Sequence, residues 1–136
     1  MEVLVVVTLI ALTTLIVVPR MAGPLASITA DHEARRIAMA HSRAHMMAIA
    51  SGRVMLLRLL VDTLSISSVE GPDTLRLWTE AGPAAAGAEL SGPTRHLRFT
   101  PLGITFGLSN GTWIVTYRGA TRRVVVSRLG RVRVTR

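Results

Sequence analysis

The feature that most constrains this chain is its beginning. Glu2 is followed by an unbroken apolar run over residues 3–18, with Thr8, Thr13 and Thr14 as its only polar members. Such a run folds as a helix. As a helix, sixteen residues reach about 24 Å at about 1.5 Å each. That is somewhat short of a hydrocarbon core of about 30 Å. The threonine hydroxyls can bond back to helix carbonyls, which makes them tolerable in lipid. Pro19 and Arg20 end the run. A cleavable signal peptide needs a basic start and a small-residue cleavage site, and Met1-Glu2 offers neither. The reading is a membrane anchor with a carboxylate at its head. A carboxylate there calls for a partner, or else for a place at the helix N-terminus among the headgroups, where the helix dipole favours it.

The rest of the chain is long enough for one small domain. It has no cysteine, so disulfides, thiolate metal sites and thiol nucleophiles are excluded. All sixteen basic residues are Arg. Residues 1–89 are nearly balanced, whereas residues 90–136 carry nine Arg and no acid, so the formal charge of +8 sits in the last third. That polarity suits an anionic partner.

Gly23-Pro24 reads as punctuation between two units: residues 1–22 as a membrane and assembly helix, and residues 23–136 as a globular domain. In the latter, a helix is expected over about 25–50 and a β-rich part over 53–136. Ala30, Ala34, Ile37, Ala38, Ala44 and Ala48 fall roughly on one helical side, and Ser51-Gly52 closes the helix. Residues 54–61, 74–79, 97–99 and 104–106 read as strands. Residues 82–93, rich in Ala, Gly and Pro, read as a flexible loop. Asn110-Gly111 signals a hairpin into residues 112–118, followed by strands over 122–128 and 131–135. The expected fold is α+β: a long N-terminal helix packed on a C-terminal antiparallel β-meander.

Glu2, the apolar run and Pro19 at seventeen residues' spacing resemble the start of a type IV pilin or type II secretion pseudopilin. Phe99, Thr100, Pro101, Leu102 and Gly103, then Trp113, the run from Arg122 and Arg123 to Val126 and Ser127, and Gly130, Arg131, Val132 and Arg133 resemble the C-terminal half of the GspH/FimT pseudopilin group. The resemblance covers most of the chain except residues 62–95. It implies that Met1 is the variable residue before the Glu. The leader, its cleavage-site Gly and Phe-Thr-Leu would then precede Met1 in a precursor cut by prepilin peptidase. It implies an assembly role for Glu2, which would neutralise the N-terminal amine of a neighbouring subunit, and a kink or melted turn at Pro19. The partners implied are other pilins or pseudopilins and the bacterial inner membrane, with the globular domain periplasmic.

Nothing points to catalysis. His41 and His45 lie at i, i+4, but Ser42 stands where a zinc protease needs Glu, and His32 is the only further imidazole near them. Packing or surface roles suit them better than a metal site. Ser91, Ser109 and Ser127 lack a nucleophile elbow, and Asp62 and Asp73 form no evident acid–base pair. No cofactor is expected. The one positive signal is the basic tail. Arg131 and Arg133 alternate with Val132 and Val134, and Arg122, Arg123, Arg128 and Arg136 are near in sequence. Guanidinium groups suit phosphate, and in FimT-like minor pilins the Gly-Arg-x-Arg motif, here Gly130, Arg131 and Arg133, is associated with binding DNA. A similar ending occurs in secretion pseudopilins, and a charged edge strand resists aggregation. The leading expectation is therefore a minor pilin or pseudopilin with a structural and assembly role. A DNA-binding competence pilin and an unrelated single-pass membrane protein with a small β domain are the alternatives.

Overall fold

A computed structural model describes residues 2–93, 96–106, 111–127 and 130–136, without the side chains of residues 15–21. Asn110, Ser109 and Arg128 lie outside these residues, so the hairpin expected at Asn110 is not part of the description.

One helix, α1 (Glu2–Ser51), occupies the first fifty positions and extends about 75 Å. It does not stop at Gly23-Pro24, and no turn is melted at Pro19: helical backbone runs through all three. A proline removes one backbone donor but its fixed φ fits the helix. From Ala26 onward the buried face of α1 holds the helix in place. That face is made of Ala26, Ala30, Ala34, Ile37, Ala40, Ala44 and Ala48, all nearly solvent-free. Their spacing of three and four residues defines one stripe. Mostly methyl side chains let the helix axis lie close over the strands. Gly52, with φ +64°, ends it.

The strands are β1 (Val54–Leu59), β2 (Thr63–Glu70), β3 (Asp73–Ala81), β4 (Glu89–Ser91), β5 (His96–Phe99), β6 (Thr105–Phe106), β7 (Gly111–Tyr117), β8 (Ala120–Val126) and β9 (Val132–Thr135). They pair antiparallel throughout. The two sheets are ordered β3-β2-β1-β5-β6 and β4-β7-β8-β9. The meander is thus divided: β1–β3 and β7–β9 each run in sequence order, while β5 crosses back to pair with β1. The inner faces supply Met55, Leu57, Leu64, Ile66, Leu97, Phe99, Trp113, Val115, Val124 and Val126, which close one core with the alanine stripe.

Residues 82–93 are not the expected flexible loop. Pro83–Ala86 forms a 3₁₀ turn, and Glu89–Ser91 adds β4 to the second sheet. Backbone bonds from Gly82 to Asp62 (2.7 Å) and from Ala84 to Val61 (2.8 Å) pin the segment to the turn before β2.

Candidate functional site

The functional surface begins where the core ends. Among the described residues N-terminal to Ala26, the large apolar side chains of α1 stand exposed. Val3 is 76% exposed, Leu9 66% and Leu12 55%. Glu2 stands exposed in the first turn, where the N-terminal dipole favours an anion. The three threonines satisfy their hydroxyls internally: Thr8 Oγ1 donates to the Leu4 carbonyl at 2.6 Å, and Thr13 and Thr14 donate to that of Ile10 at 2.9 and 2.7 Å. Over residues 3–14 this half-helix therefore presents almost nothing but hydrocarbon. Among the described residues no helix is long and apolar enough to cross a membrane. In sequence, the apolar run continues through residues 15–18.

Two polar clamps seat the other half on the domain. In the first, Asp31 accepts from Arg35 one turn on (2.6 Å) and from Arg122 on β8 (3.4 Å). Arg122 also donates to Ser27 Oγ. The Arg35 hydrogen bond, opposed by some desolvation, holds the Asp31 carboxyl below its usual range, with Arg122 adding to it. In the second, the carboxylate of Glu33, only 3% exposed, receives Arg36 at 2.8 Å. Arg36 continues to Glu80 at the end of β3 (2.7 Å) and to the Ala81 carbonyl. Burial opposes the Arg36 charge, but Glu33 and Glu80 outweigh it and raise its pKa. In the sequence only the first half of this clamp leaves a signal, Glu33 and Arg36 at i, i+3.

The histidine pair packs against Phe99. His41 is buried, its ring edge-on to Phe99 at 4.9 Å between centroids, and neither ring nitrogen has a hydrogen-bond partner among the described residues. Burial, and then the nearby His45, lower its pKa to about 4, so it is neutral at ordinary pH. His45 meets Phe99 at 6.2 Å. His32 is exposed and leans on Glu33 instead (3.2 Å). Among the described residues no group of three His, Asp or Glu could hold a metal ion.

Among the described residues the C-terminal arginines point to different faces. Arg122 shares the inward parity of Val124 and Val126 and is engaged with Asp31 and Ser27. Arg123 and Arg133 face outward on paired strands, opposite Thr135 and Val125 respectively. Arg131 is exposed just before β9, its N–H bonded to Ser127 Oγ (3.2 Å). Gly130, with φ +75°, donates to the Ser127 carbonyl and sets up this turn. Arg136 is exposed and lines, with Arg122, Arg35 and Asp31, a groove of about 620 Å³ between α1 and β9.

Residues 33–130 match the protein family described as Type II transport protein GspH. No curated protein matches. Among solved structures, the type IV minor pilin FimU of Pseudomonas aeruginosa superposes with a TM-score of 0.67 at 20% identity, over 79% of this chain and 88% of that one. The minor pseudopilin EpsH of the Vibrio cholerae type II secretion system superposes with a TM-score of 0.63 at 16% identity, over 78% and 95%. At these identities the likeness is one of fold: a long helix laid across antiparallel sheets. The chain belongs to the GspH family, and it is a minor pilin-like subunit of a type II secretion or type IV pilus system.

Proposed function

We propose that residues 1–22 are the membrane and assembly helix of this subunit, and that residues 23–136 are a periplasmic domain carried by it. The observation behind this reading is the bare hydrocarbon surface of α1 from Val3 to Leu12, on the same helix whose stripe is fully covered from Ala26 on. Eight large apolar side chains there are more than half exposed. A surface of that kind is stable in lipid or against other helices, and not in water. The subunit sits in the inner membrane before assembly, then packs this helix against those of other pilins in the filament. Glu2 at its head meets the N-terminal amine of a neighbour, an attraction strengthened by the low dielectric of the bundle. EpsH and FimU are described as components of such systems.

The test uses the full chain expressed in bacteria together with its secretion or pilus system. The chain is expected to stay in the membrane pellet through alkaline carbonate, and a Leu9→Arg/Leu12→Arg variant to be released. Glu2→Ala is expected to remain in the pellet but to lose cross-links to other pilins. Release of the parent chain by carbonate overturns the membrane reading, and unchanged cross-links in Glu2→Ala overturn the role of Glu2.

A further inference from the structure

The outer face of the first sheet carries a cationic trough that the helix-based assembly reading does not use. Strand alternation and register place Arg58, Arg76, Arg98 and His96 on this face. One row across the sheet reads Arg76, Ser67, Leu56, Arg98 and Phe106, and the next reads Thr79, Ser65, Arg58 and His96. Arg76 and Arg98 are three strands apart, about 14 Å between backbones. Arg58 rises between them. Ser65 and Ser67 form the floor, 5% and 7% exposed.

None of the three arginines has a hydrogen-bond or ion-pair partner among the described residues, and the Arg58 Nε is buried without one. Among the described strand residues of this sheet no carboxylate shares the face; Asp73 and Glu70 pair with each other on the opposite parity. Glu80 turns inward to Arg36, Glu70 is held by Arg53, and Glu89 is on the other sheet. The trough is flanked on one side by hydrocarbon. A cavity of about 200 Å³ is lined by Val54, Val69, Arg98 and Phe106, and Phe106 is 74% exposed.

We propose that this face docks an acidic segment of a partner protein, whose carboxylates pair with Arg58, Arg76 and Arg98 and whose apolar side chain enters the cavity beside Phe106. Guanidinium forks take carboxylates bidentately. Arginine set beside an exposed aromatic ring is the composition of protein interfaces. A phosphate polymer would use the charges but leave the apolar flank uncovered. The inference does not rest on the membrane or filament role of α1.

The experiment is fluorescence anisotropy with the full chain in nonionic detergent, using labelled oligoglutamate and the same peptide with a central Phe. At low salt both peptides are expected to bind, the Phe peptide more tightly. Binding is expected to fall about tenfold or more in Arg58→Ser/Arg76→Ser/Arg98→Ser and to persist in Arg123→Ser/Arg131→Ser/Arg133→Ser. Phe106→Ser should remove the advantage of the Phe peptide. Arg76→Ser/Arg98→Ser changes only exposed side chains and keeps the fold; it should weaken binding by itself. Four results overturn the proposal: no binding at low salt, full binding in that folded double variant, equal loss in the tail variant, or capture of duplex DNA by these arginines with no capture of either peptide. An equal affinity for the two peptides overturns the role of the cavity.

Discussion

Arg36 Nη2 lies 2.7 Å from Glu80 Oε1, while Nη1 of the same side chain lies 2.8 Å from Glu33 Oε2. One guanidinium therefore joins the middle of α1 to the end of β3, and it neutralises a carboxylate with almost no access to water.

Removing that guanidinium strands the Glu33 carboxylate. Breaking a buried pair from one side costs about 3–5 kcal/mol, because the remaining charge is uncompensated. Arg36→Met is expected to lower the stability of the chain by about 3 kcal/mol in urea denaturation. Arg35→Met removes a partner of Asp31 that is 67% exposed, and is expected to cost well under about 1 kcal/mol. Similar losses from the two variants would contradict the buried clamp.

The pH dependence follows from His41. Its pKa is about 4 in the folded chain against 6.5 when free. Because the folded value is depressed, the unfolded chain binds the proton more readily. Stability is therefore complete above pH 6.5 and is lost as pH falls towards about 4. At pH 5 the expected loss is about 2 kcal/mol relative to pH 7.5. Asp31, also depressed by Arg35, contributes in the same direction but at lower pH. His41→Leu keeps an apolar contact with Phe99 and should flatten the profile between pH 7.5 and 5. Urea midpoints measured across that range decide it.

The helical half of the fold could be read from residues alone, because its signals are local: an apolar run, then an alanine stripe. The β half was harder for identifiable reasons. Thr63–Glu70 carries three serines on a strand buried almost throughout on both faces, so no apolar–polar alternation announces it, and its pairing with β3 shifts past Ile66, leaving Leu77 of β3 as the extra residue. Residues 82–93 look loose by composition, yet they are ordered by bonds to Val61 and Asp62, some twenty residues earlier. The tail arginines are near one another in sequence, yet the alternation Arg122, Val124, Val126 separates Arg122 from Arg123. Arg58, Arg76 and Arg98 are far apart in the chain, and only the sheet order brings them together.

That separation among the tail arginines can be measured. Arg122 is 12% exposed and ties β8 to Asp31 and Ser27 on α1. Arg122→Ser is expected to cost about 1–2 kcal/mol, since it leaves a partly buried carboxylate with fewer donors. Arg123→Ser and Arg133→Ser alter exposed side chains without partners among the described residues and should stay within about 0.5 kcal/mol of the parent. Equal destabilisation at all three positions would contradict the inward placement of Arg122.

Gly103 marks where the β5–β6 turn meets the end of the helix. Its φ is +76°, and its N–H donates to the Thr100 carbonyl at 2.8 Å. A Cβ there would sit 2.6 Å from His45 Nε2 and 2.8 Å from Ile49 Cδ1. Gly103→Ala thus meets two separate penalties, a left-handed backbone and a steric overlap with α1. The backbone term alone is about 1 kcal/mol, and the overlap adds to it because Ile49 and His45 must both shift. Shortening both His45 and Ile49 removes only the second penalty. In a mutant cycle, Gly103→Ala is expected to cost about 2 kcal/mol in the parent and about 1 kcal/mol in a His45→Ala/Ile49→Ala background. Additive costs would show that the turn does not press on the helix at these two residues, whereas a coupling of about 1 kcal/mol confirms that it does.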